Sequence, residues 1–568
     1  MRQSLLLLLT VLLSTSSAIA DEAAEIKALI DTVYSQGCQN VDQQLIESPL
    51  FSSVMPETAI KRLRQAIFFT QAKSLHTDNF VLEILYRLQW QLGKIFKSQE
   101  NWELASYAYQ QAKQALEMLR KMGAKPSQTV YQQVYYGLVD ILLTRYDKEI
   151  RQGLLKDVVE TVELLKQAEL ENYFQDECLV SGNYDRVENH LGDNTAVFYP
   201  ILFPKAAGIL TRSVELLLFS PNKKIRWIKP SDAWRSVSED IEIFKEKVEA
   251  FRQALENPQR ENPPGKSSKQ GGEVLYQLLM KPIENQLKNI EILVFVPDGI
   301  LRTIPLVALF DGKEFVVEKD YAVVTIPGLS LTKSVGTPLR KNPRILLAGM
   351  SHEVSLSKDV RFPRLSKTQE ALRAIQRLYP DRSRVIQDEE FLISRLKQEM
   401  HNIPSNTIMH LHTHATFGKE HQDTFLLTYN TKLDHNDRLT MDRLEDIFSV
   451  GELRHSPIEL LTLGACETAK GDEQAALGLA GVAFKSGARS VLATLWRVDE
   501  RFTSKLMEVF YERLKAGQSR VLALQGAQRE IMSLKESRVG IVPRDGSEKT
   551  SSLIARYWAP FILIGDWF

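Results

Sequence analysis

The first third of the chain carries apolar residues at helical spacing. From Glu57 to Leu170 they recur every three to four positions, prolines are few, and charged residues occupy the opposite face. This period predicts a series of amphipathic helices. In one segment, small residues would let two antiparallel helices approach closely while aromatic rings fill the groove between them: Gly93, Phe96, Ala105, Tyr109 and Ala112. We expect an all-α array over residues 21–170.

The pattern then changes twice. Residues 171–256 mix polar turns with the apolar segments 196–202 and 213–219, which predict short antiparallel strands, and a helical stretch covers 230–255. Residues 257–272 are rich in Asn, Pro, Gly, Ser and Lys and lack apolar periodicity, which is typical of a linker. We therefore expect a small mixed α+β connecting region followed by a linker.

Residues 273–568 alternate between apolar runs and helical patterns. The expected strands are seven short runs at 292–296, 321–326, 344–349, 407–411, 458–463, 490–495 and 561–564. The expected helices lie at 369–379, 390–400, 475–486, 502–515 and 520–534. Alternation of this kind predicts an α/β layer with a mostly parallel sheet.

The spacing in the helical region resembles a tetratricopeptide repeat. Arrays of such repeats offer a concave surface, so the resemblance implies that this region recruits a protein substrate or a protein regulator. Only one repeat is convincing, so an ordinary helical bundle remains the alternative.

Composition narrows the function classes. The chain has 568 residues, 44% hydrophobic and 25% charged, so disorder cannot dominate and two to four domains are expected. Lys plus Arg and Asp plus Glu both count 71. The chain thus has no net charge to attract nucleic acid or an anionic membrane from a distance, and no nucleic-acid partner is expected.

The first twenty residues have the pattern of a cleavable signal peptide. Arg2 precedes an apolar stretch from Leu5 to Leu13, and Ala18-Ile19-Ala20 supplies a small-x-small cleavage site before Asp21. We expect residues 1–20 to be removed and the rest to be exported to a bacterial periplasm or outside the cell. No later segment has eighteen uninterrupted apolar residues, so stable membrane insertion is not expected.

Export changes the interpretation of the three cysteines, Cys38, Cys178 and Cys466. An oxidising compartment favours joining two of them. We hypothesise a Cys38–Cys178 disulfide, because both residues lie outside the expected catalytic region and the pairing leaves Cys466 free. Three reduced thiols remain the alternative.

Cys466 and His414 are the candidate catalytic pair. Cys466 follows the apolar run that ends in Leu463-Gly464-Ala465, and His414 lies 52 residues upstream at the end of another such run. The carboxyl ends of parallel strands line one crevice, so two strand ends can bring these side chains together. A nearby imidazole lowers the pKa of a thiol and yields a nucleophilic thiolate. A small buried cysteine is the ordinary alternative.

Several motifs in the C-terminal half resemble the CHAT domain family, relatives of caspases and separases. They are Pro297-Asp298-Gly299-Ile300-Leu301-Arg302-Thr303-Ile304-Pro305, Leu411-His412-Thr413-His414-Ala415, Gly464-Ala465-Cys466-Glu467-Thr468-Ala469, Gly487-Ala488-Arg489-Ser490-Val491, Leu495-Trp496-Arg497-Val498-Asp499 and Tyr557-Trp558-Ala559-Pro560-Phe561-Ile562-Leu563-Ile564-Gly565-Asp566. The resemblance covers about residues 275–568. It implies a caspase-like sheet and a cysteine endopeptidase that needs no cofactor.

The resemblance also assigns roles. His414 and Cys466 would form the peptidase dyad, and the backbone N–H groups of Cys466 and Ala415 would stabilise the oxyanion. The family commonly has glycine where this chain has Ala415. Because alanine tolerates positive φ less well than glycine, this departure raises the alternative of a catalytically silent interaction scaffold.

His412 is a second departure, since the family usually has a small residue there. On a strand, His410, His412 and His414 would project from one face, where alternating histidines can bind zinc. A metal-dependent hydrolase is therefore an alternative, although no His-Glu-x-x-His pattern supports it, and no metal site is expected.

Three further residues are candidates for substrate binding. Asp499 precedes an expected helix, so it is either a helix-capping carboxylate or a negative wall for a basic substrate side chain. Glu467 would orient the loop beside the nucleophile or repel acidic substrates. Trp496 would contribute either to packing or to substrate binding.

Overall fold

The computed structural model of the chain describes residues 17–35, 54–73, 79–124, 126–174, 191–207, 209, 212–221, 224–229, 240–257, 266–332, 339, 342–355, 361–401, 407–418, 421–429, 438–453, 458–464, 473–485, 487–534 and 551–568. Two compact units are formed. One comprises Met1–Asn172 with Pro204–Leu210, and the other comprises Tyr173–Phe203 with Thr211–Phe568.

The first unit is a helical array, as predicted. Its helices are α1 (Ser17–Ser35), α2 (Pro56–Lys73), α3 (Asn79–Ser98), α4 (Trp102–Lys121), α5 (Gln128–Glu149) and α6 (Gln152–Phe174), the last of which ends in the second unit. Helices α1 to α5 contact one another in chain order. Among the helices of the described residues, none combines the length and apolar character that a membrane span requires.

Tyr109 of α4 shows why this array needs glycine. A Cβ atom on Gly93 of α3 would lie 2.5 Å from the Tyr109 ring, and one on Gly137 of α5 would lie 2.4 Å from it. The ring therefore packs directly on the backbones of both neighbouring helices, where any side chain would clash. This is the close approach that the spacing of small and aromatic residues predicts.

The second unit is built on one sheet of eleven strands. In sheet order these are β3 (Ile225–Ile228), β2 (Val214–Phe219), β1 (Thr195–Leu202), β4 (Ile292–Phe295), β5 (Ala322–Thr325), β16 (Phe561–Gly565), β15 (Ser490–Thr494), β14 (Ile458–Leu463), β10 (Thr407–His412), β6 (Arg344–Gly349) and β9 (Ser383–Gln387). The pairs β3–β2, β2–β1 and β16–β15 are antiparallel. The other seven pairs are parallel, which confirms the expected mostly parallel α/β sheet.

All seven apolar runs of the C-terminal half form strands of this sheet. Every residue of β10, β14 and β15 is buried, because the sheet is covered on both faces, and this explains their nearly continuous apolar sequences. Short strands lie outside it: β7 (Val354–Ser355) pairs with β8 (Arg361–Phe362), and β11 (Ala415–Thr416), β12 (Phe425–Leu427) and β13 (Arg438–Thr440) form a small antiparallel sheet.

Strands β1 to β3 come from the region expected to connect the helical array to the peptidase region. β1 and β2 are the expected short antiparallel strands, β3 is a further strand that the sequence pattern did not predict, and β1 pairs in parallel with β4 of the large sheet. The carboxylate of Asp298, in the first CHAT-like motif, is buried and accepts a 2.9 Å hydrogen bond from the Leu202 backbone N–H at the end of β1. That motif therefore joins two adjacent strand ends.

Helices cover the sheet. They are α7 (Ile241–Glu256), α8 (Lys266–Leu279), α9 (Thr368–Leu378), α10 (Ile393–His401), α11 (Met441–Leu453), α12 (Glu473–Lys485), α13 (Glu500–Lys515), α14 (Arg520–Ser533) and α15 (Ser551–Trp558).

The end of the expected linker differs from the structure. Residues 266–272 belong to α8, while 258–265 lie outside the described residues. A Cβ atom on Gly271 would lie 3.3 Å from the Cβ atom of Phe251 in α7, and one on Gly272 would lie 3.1 Å from the Phe251 ring. These glycines serve close packing of two helices, although in sequence they are typical of a flexible segment.

Candidate active site

His414 lies just beyond the carboxyl end of β10. The strand ends at His412, and the chain turns there because the Thr413 hydroxyl donates a 2.7 Å hydrogen bond to the Leu427 carbonyl. The Leu427 N–H in turn donates to the His414 carbonyl at 2.9 Å. These bonds tie the turn to β12 and hold the backbone of His414 in one position.

The His414 imidazole is oriented by the short β7–β8 hairpin. Its Nε2 atom lies 2.8 Å from the Pro363 carbonyl oxygen, and its ring centroid lies 5.2 Å from that of Phe362. A carbonyl oxygen only accepts hydrogen bonds, so Nε2 carries a proton. In the neutral ring the basic lone pair is then on Nδ1, which is the nitrogen able to accept a proton from a thiol.

The parallel pairing of β10 and β14 relates the two candidate catalytic positions. Leu411 is paired with Leu463, and the Gly464 N–H donates a 2.8 Å hydrogen bond to the Leu411 carbonyl. Positions 414 and 466 each come three residues after this pair of leucines. Cys466 and Glu467 lie outside the described residues, as do Cys38 and Cys178 of the hypothesised disulfide.

Ala415 begins β11 and pairs with Leu426 of β12 in antiparallel register. Ala415 is buried and its backbone is extended. It is not one of the described residues with positive φ. The replacement of the family's glycine by alanine therefore costs nothing in backbone strain in this conformation.

A cleft of about 580 Å³ opens at the carboxyl ends of β10, β14 and β15. His414, Gly464 and Asp499, each from a different CHAT-like motif, are among the residues that line it. The structure thus brings the candidate base, the residue two positions before the candidate nucleophile, and one candidate substrate-binding carboxylate to the same cleft.

Asp499 caps the helix that follows it. Its carboxylate accepts a 2.9 Å hydrogen bond from the Arg501 backbone N–H in the first turn of α13 and pairs with the Arg501 guanidinium at 3.0 Å. The hydrogen bond from the Arg501 side chain is the largest of the interactions that lower the pKa of the Asp499 carboxyl below its ordinary value. Asp499 therefore has the capping role, and its charge is offset by a neighbouring cation.

Trp496 is a packing residue in this structure. It is 3% exposed and does not line the cleft, and its indole N–H donates a 3.0 Å hydrogen bond to the Arg556 carbonyl in α15. The contact fixes the backbone of α15 beside the cleft.

His410 and His412 lie on one face of β10, as alternate strand positions must. Their rings stack with centroids 6.1 Å apart, and His410 Nδ1 lies 3.3 Å from the Tyr511 hydroxyl. Burial lowers the pKa of His410 well below its ordinary value and that of His412 to about 4, so both rings are neutral at neutral pH. The His412 ring nitrogens and His410 Nε2 have no hydrogen-bond partner among the described residues.

The metal alternative finds no support in this arrangement. Within the part of the chain that the structure describes, no group of three or more His, Cys, Asp or Glu side chains is placed to hold a metal ion. His414 lies beyond the strand end, where its Nε2 atom bonds to Pro363 and is not directed to a shared centre with His410 and His412.

Two features of the site are missed by sequence reasoning. Pro363 orients His414 through a backbone carbonyl, which every residue type possesses, so no sequence signal identifies it. Arg556 lines the cleft and directly precedes the motif that begins at Tyr557. The one sequence signal that could have identified Arg556 is its position as a cation directly before this motif.

Solved structures and one family model are similar to this chain. No curated protein matches the chain. The separase chain of the Saccharomyces cerevisiae separase–securin complex matches with 12% identity and a TM-score of 0.39, covering 96% of this chain. This chain spans only 40% of the length of that separase chain.

The complex of the Porphyromonas gingivalis RgpB pro- and mature domains matches with 9% identity and a TM-score of 0.29, covering 60% of this chain and 77% of that one. The Arg-specific cysteine proteinase gingipain R matches at the same identity and TM-score, covering 57% of this chain and 74% of that one. The family model of the CHAT domain matches residues 269–566, more than half of the chain. The chain therefore belongs to the CHAT domain family.

Proposed function

We propose that the protein is a cysteine endopeptidase in which His414 is the base and Cys466 the nucleophile. The observation that carries the proposal is the parallel register of β10 and β14. Positions 414 and 466 follow the paired residues Leu411 and Leu463 by the same number of residues, at the sheet edge where the cleft opens. Adjacent strands lie about 4.8 Å apart, so a short turn after each strand suffices to bring the two side chains within reach of one peptide.

The reaction requires two proton transfers through His414. Nδ1 takes the proton of the Cys466 thiol as the sulfur attacks the peptide carbonyl carbon, and the ring then returns that proton to the leaving amine. A thioester remains. Water attacks it, His414 takes a proton from that water, and Cys466 leaves as thiol once the ring returns the proton. The Pro363 carbonyl stabilises the ring when both nitrogens are protonated.

The oxyanion that forms in each half of the reaction needs hydrogen-bond donors that are already in place. We assign this role to the backbone N–H groups of Cys466 and Ala415. The unstrained extended backbone of Ala415 supports the assignment. It also removes one of the two reasons to expect a silent scaffold, the other being an oxidising compartment.

We further propose that the protein is exported after removal of residues 1–20 and acts in the periplasm or outside the cell. The helical array would recruit a protein substrate or regulator, and a Cys38–Cys178 disulfide would leave Cys466 as the free thiol. N-terminal sequencing of the protein recovered from its compartment should begin at Asp21. A mature protein that retains Met1 would contradict export by cleavage.

The dyad is tested with a peptidyl chloromethyl ketone and mass spectrometry of the modified cysteine. We expect selective alkylation of Cys466 in the folded full-length protein, at a rate that falls by about 10²- to 10⁴-fold in His414→Ala. His401→Ala, at an exposed histidine on α10, is the matched control and should retain the wild-type rate.

The same protein can be tested in cells by comparing the cleaved protein termini of wild type and Cys466→Ala. New termini that depend on Cys466 would support the endopeptidase. If Cys466 reacts no faster in the folded protein than in urea, and the two sets of termini are identical, the endopeptidase function is contradicted. The protein is then an interaction scaffold.

A further inference from the structure

The cleft beside His414 carries more positive than negative side chains. Lys367, Arg497, Arg501 and Arg556 line it, together with the two carboxylates of Asp499 and Glu500. The described lining therefore has an excess of cations, of which Lys367 is paired with Glu370 at 2.7 Å and Arg501 with Asp499 at 3.0 Å. This differs from two expectations of the sequence: the negative wall for a basic substrate side chain at Asp499, and the repulsion of acidic substrates by Glu467, which lies outside the described residues.

Both carboxylates are already engaged. Asp499 accepts hydrogen bonds from the backbone N–H and the guanidinium of Arg501. Glu500 accepts a 2.7 Å hydrogen bond from the Lys367 backbone N–H. A basic substrate side chain would have to compete with these donors, and it would approach the arginines that surround the cleft. Coulomb repulsion therefore acts against it in a partly enclosed site.

Arg556 is the cation best placed to meet a substrate. Its guanidinium makes no hydrogen bond or ion pair with any other residue that the structure describes, and it acts on Asp499 only at longer range. Arginine offers a planar pair of donors that matches a carboxylate in two parallel hydrogen bonds. An arginine that lines a cleft and whose donors have no partner among the described residues fits a carboxylate ligand.

The backbone that carries Arg556 is held firmly. Trp496 donates a hydrogen bond to the Arg556 carbonyl, and the ring of the next residue, Tyr557, stacks on Phe502 with centroids 4.0 Å apart and planes 11° apart. These contacts anchor α15 against α13 and the segment that follows β15. Because the backbone is already ordered, less entropy is lost when the guanidinium binds a substrate.

We propose that the cleft selects a peptide substrate with an acidic side chain, aspartate or glutamate, next to the bond that is cleaved, and that Arg556 is the residue that determines this specificity. The proposal rests on the cysteine endopeptidase function for its chemistry. Its recognition step does not require catalysis, so the two can be tested separately.

Binding is measured first, on full-length Cys466→Ala, by fluorescence anisotropy with two labelled peptides that differ only in a central Asp or Lys. We expect the Asp peptide to bind at least about 10-fold more tightly, a difference that shrinks as salt is raised. Arg556→Glu should abolish or reverse the preference, and Arg556→Lys should retain part of it. Arg226→Glu on β3 makes the same charge change away from the cleft and should leave the preference unchanged.

Labelling of Cys466 in otherwise wild-type protein is measured second, with chloromethyl ketones that carry Asp, Lys or norleucine beside the reactive group. The Asp reagent should react fastest, and Arg556→Glu should remove its advantage. Equal or tighter binding of the Lys peptide, or a preference that survives Arg556→Glu, overturns the specificity proposal even if Cys466 is labelled. Failure of every reagent to label Cys466, with the Asp preference in binding intact, overturns only the catalytic function.

Discussion

Replacement of His412 by leucine should make the second unit less sensitive to acid. His412 is 1% exposed, and burial lowers its pKa from 6.5 to about 4. Below pH 6.5 the unfolded chain binds a proton at this position and the folded protein does not, so the folded state loses stability as the pH falls towards 4. The loss is absent above the unfolded pKa, where the ring is neutral in both states.

The magnitude follows from these two pKa values. A shift from 6.5 to about 4 predicts a loss of about 2 kcal/mol between pH 7.5 and pH 5 from this residue alone. His410 is buried beside it, and its pKa is lowered first by burial and then by the charge of His412, so the comparison reports the removal of His412 together with this coupling. His412→Leu should also be no less stable at pH 7.5, because the ring nitrogens it removes have no partner among the described residues.

Hydrogen exchange resolved to β10 measures the relevant opening free energy at both pH values. The wild type should lose about 2 kcal/mol more than His412→Leu between pH 7.5 and pH 5. His401→Gln changes an exposed histidine on α10 and should follow the wild type. If the wild type and His412→Leu lose stability in parallel, His412 is not held neutral by burial and the reasoning is wrong.

Two further predictions concern the close packing of a glycine and a buried ion pair. Gly137→Ala should destabilise the helical array by about 1–3 kcal/mol, since the new Cβ atom would lie 2.4 Å from the Tyr109 ring. Gly153→Ala meets nothing within 4 Å and should be neutral or stabilising, so equal thermal midpoints for the two variants would contradict this account. Arg520→Leu removes a fully buried guanidinium that donates to Glu459 at 3.0 Å, and should cost about 3 kcal/mol. The double variant Arg520→Leu/Glu459→Leu should recover part of that loss in urea unfolding, and additive losses would refute the buried pair.

Local patterns were sufficient for many elements of the second unit, but they did not predict the sheet strands β3 and β9 or the helices α8, α11 and α15. A strand that is buried on both faces has a continuous apolar sequence, and an amphipathic helix has apolar residues every three to four positions. β14 and α13 can therefore be predicted without knowledge of their neighbours. The position of His414 just after a strand and the capping role of Asp499 follow from the same local rules. The helix over 266–272 was missed, because glycines that serve packing are indistinguishable in sequence from glycines in a linker.

The sequence by itself determined the helical array, the mostly parallel α/β sheet, the CHAT family and the residue types at the strand ends. Only the tertiary structure decided which groups surround them: the Pro363 carbonyl on His414, the Arg556 guanidinium in the cleft, and the addition of β1 to β4. The physical reason is that periodicity is set by each residue's own neighbours in the chain. A backbone carbonyl or a cation can be supplied from any part of the chain, so its position depends on how distant segments pack.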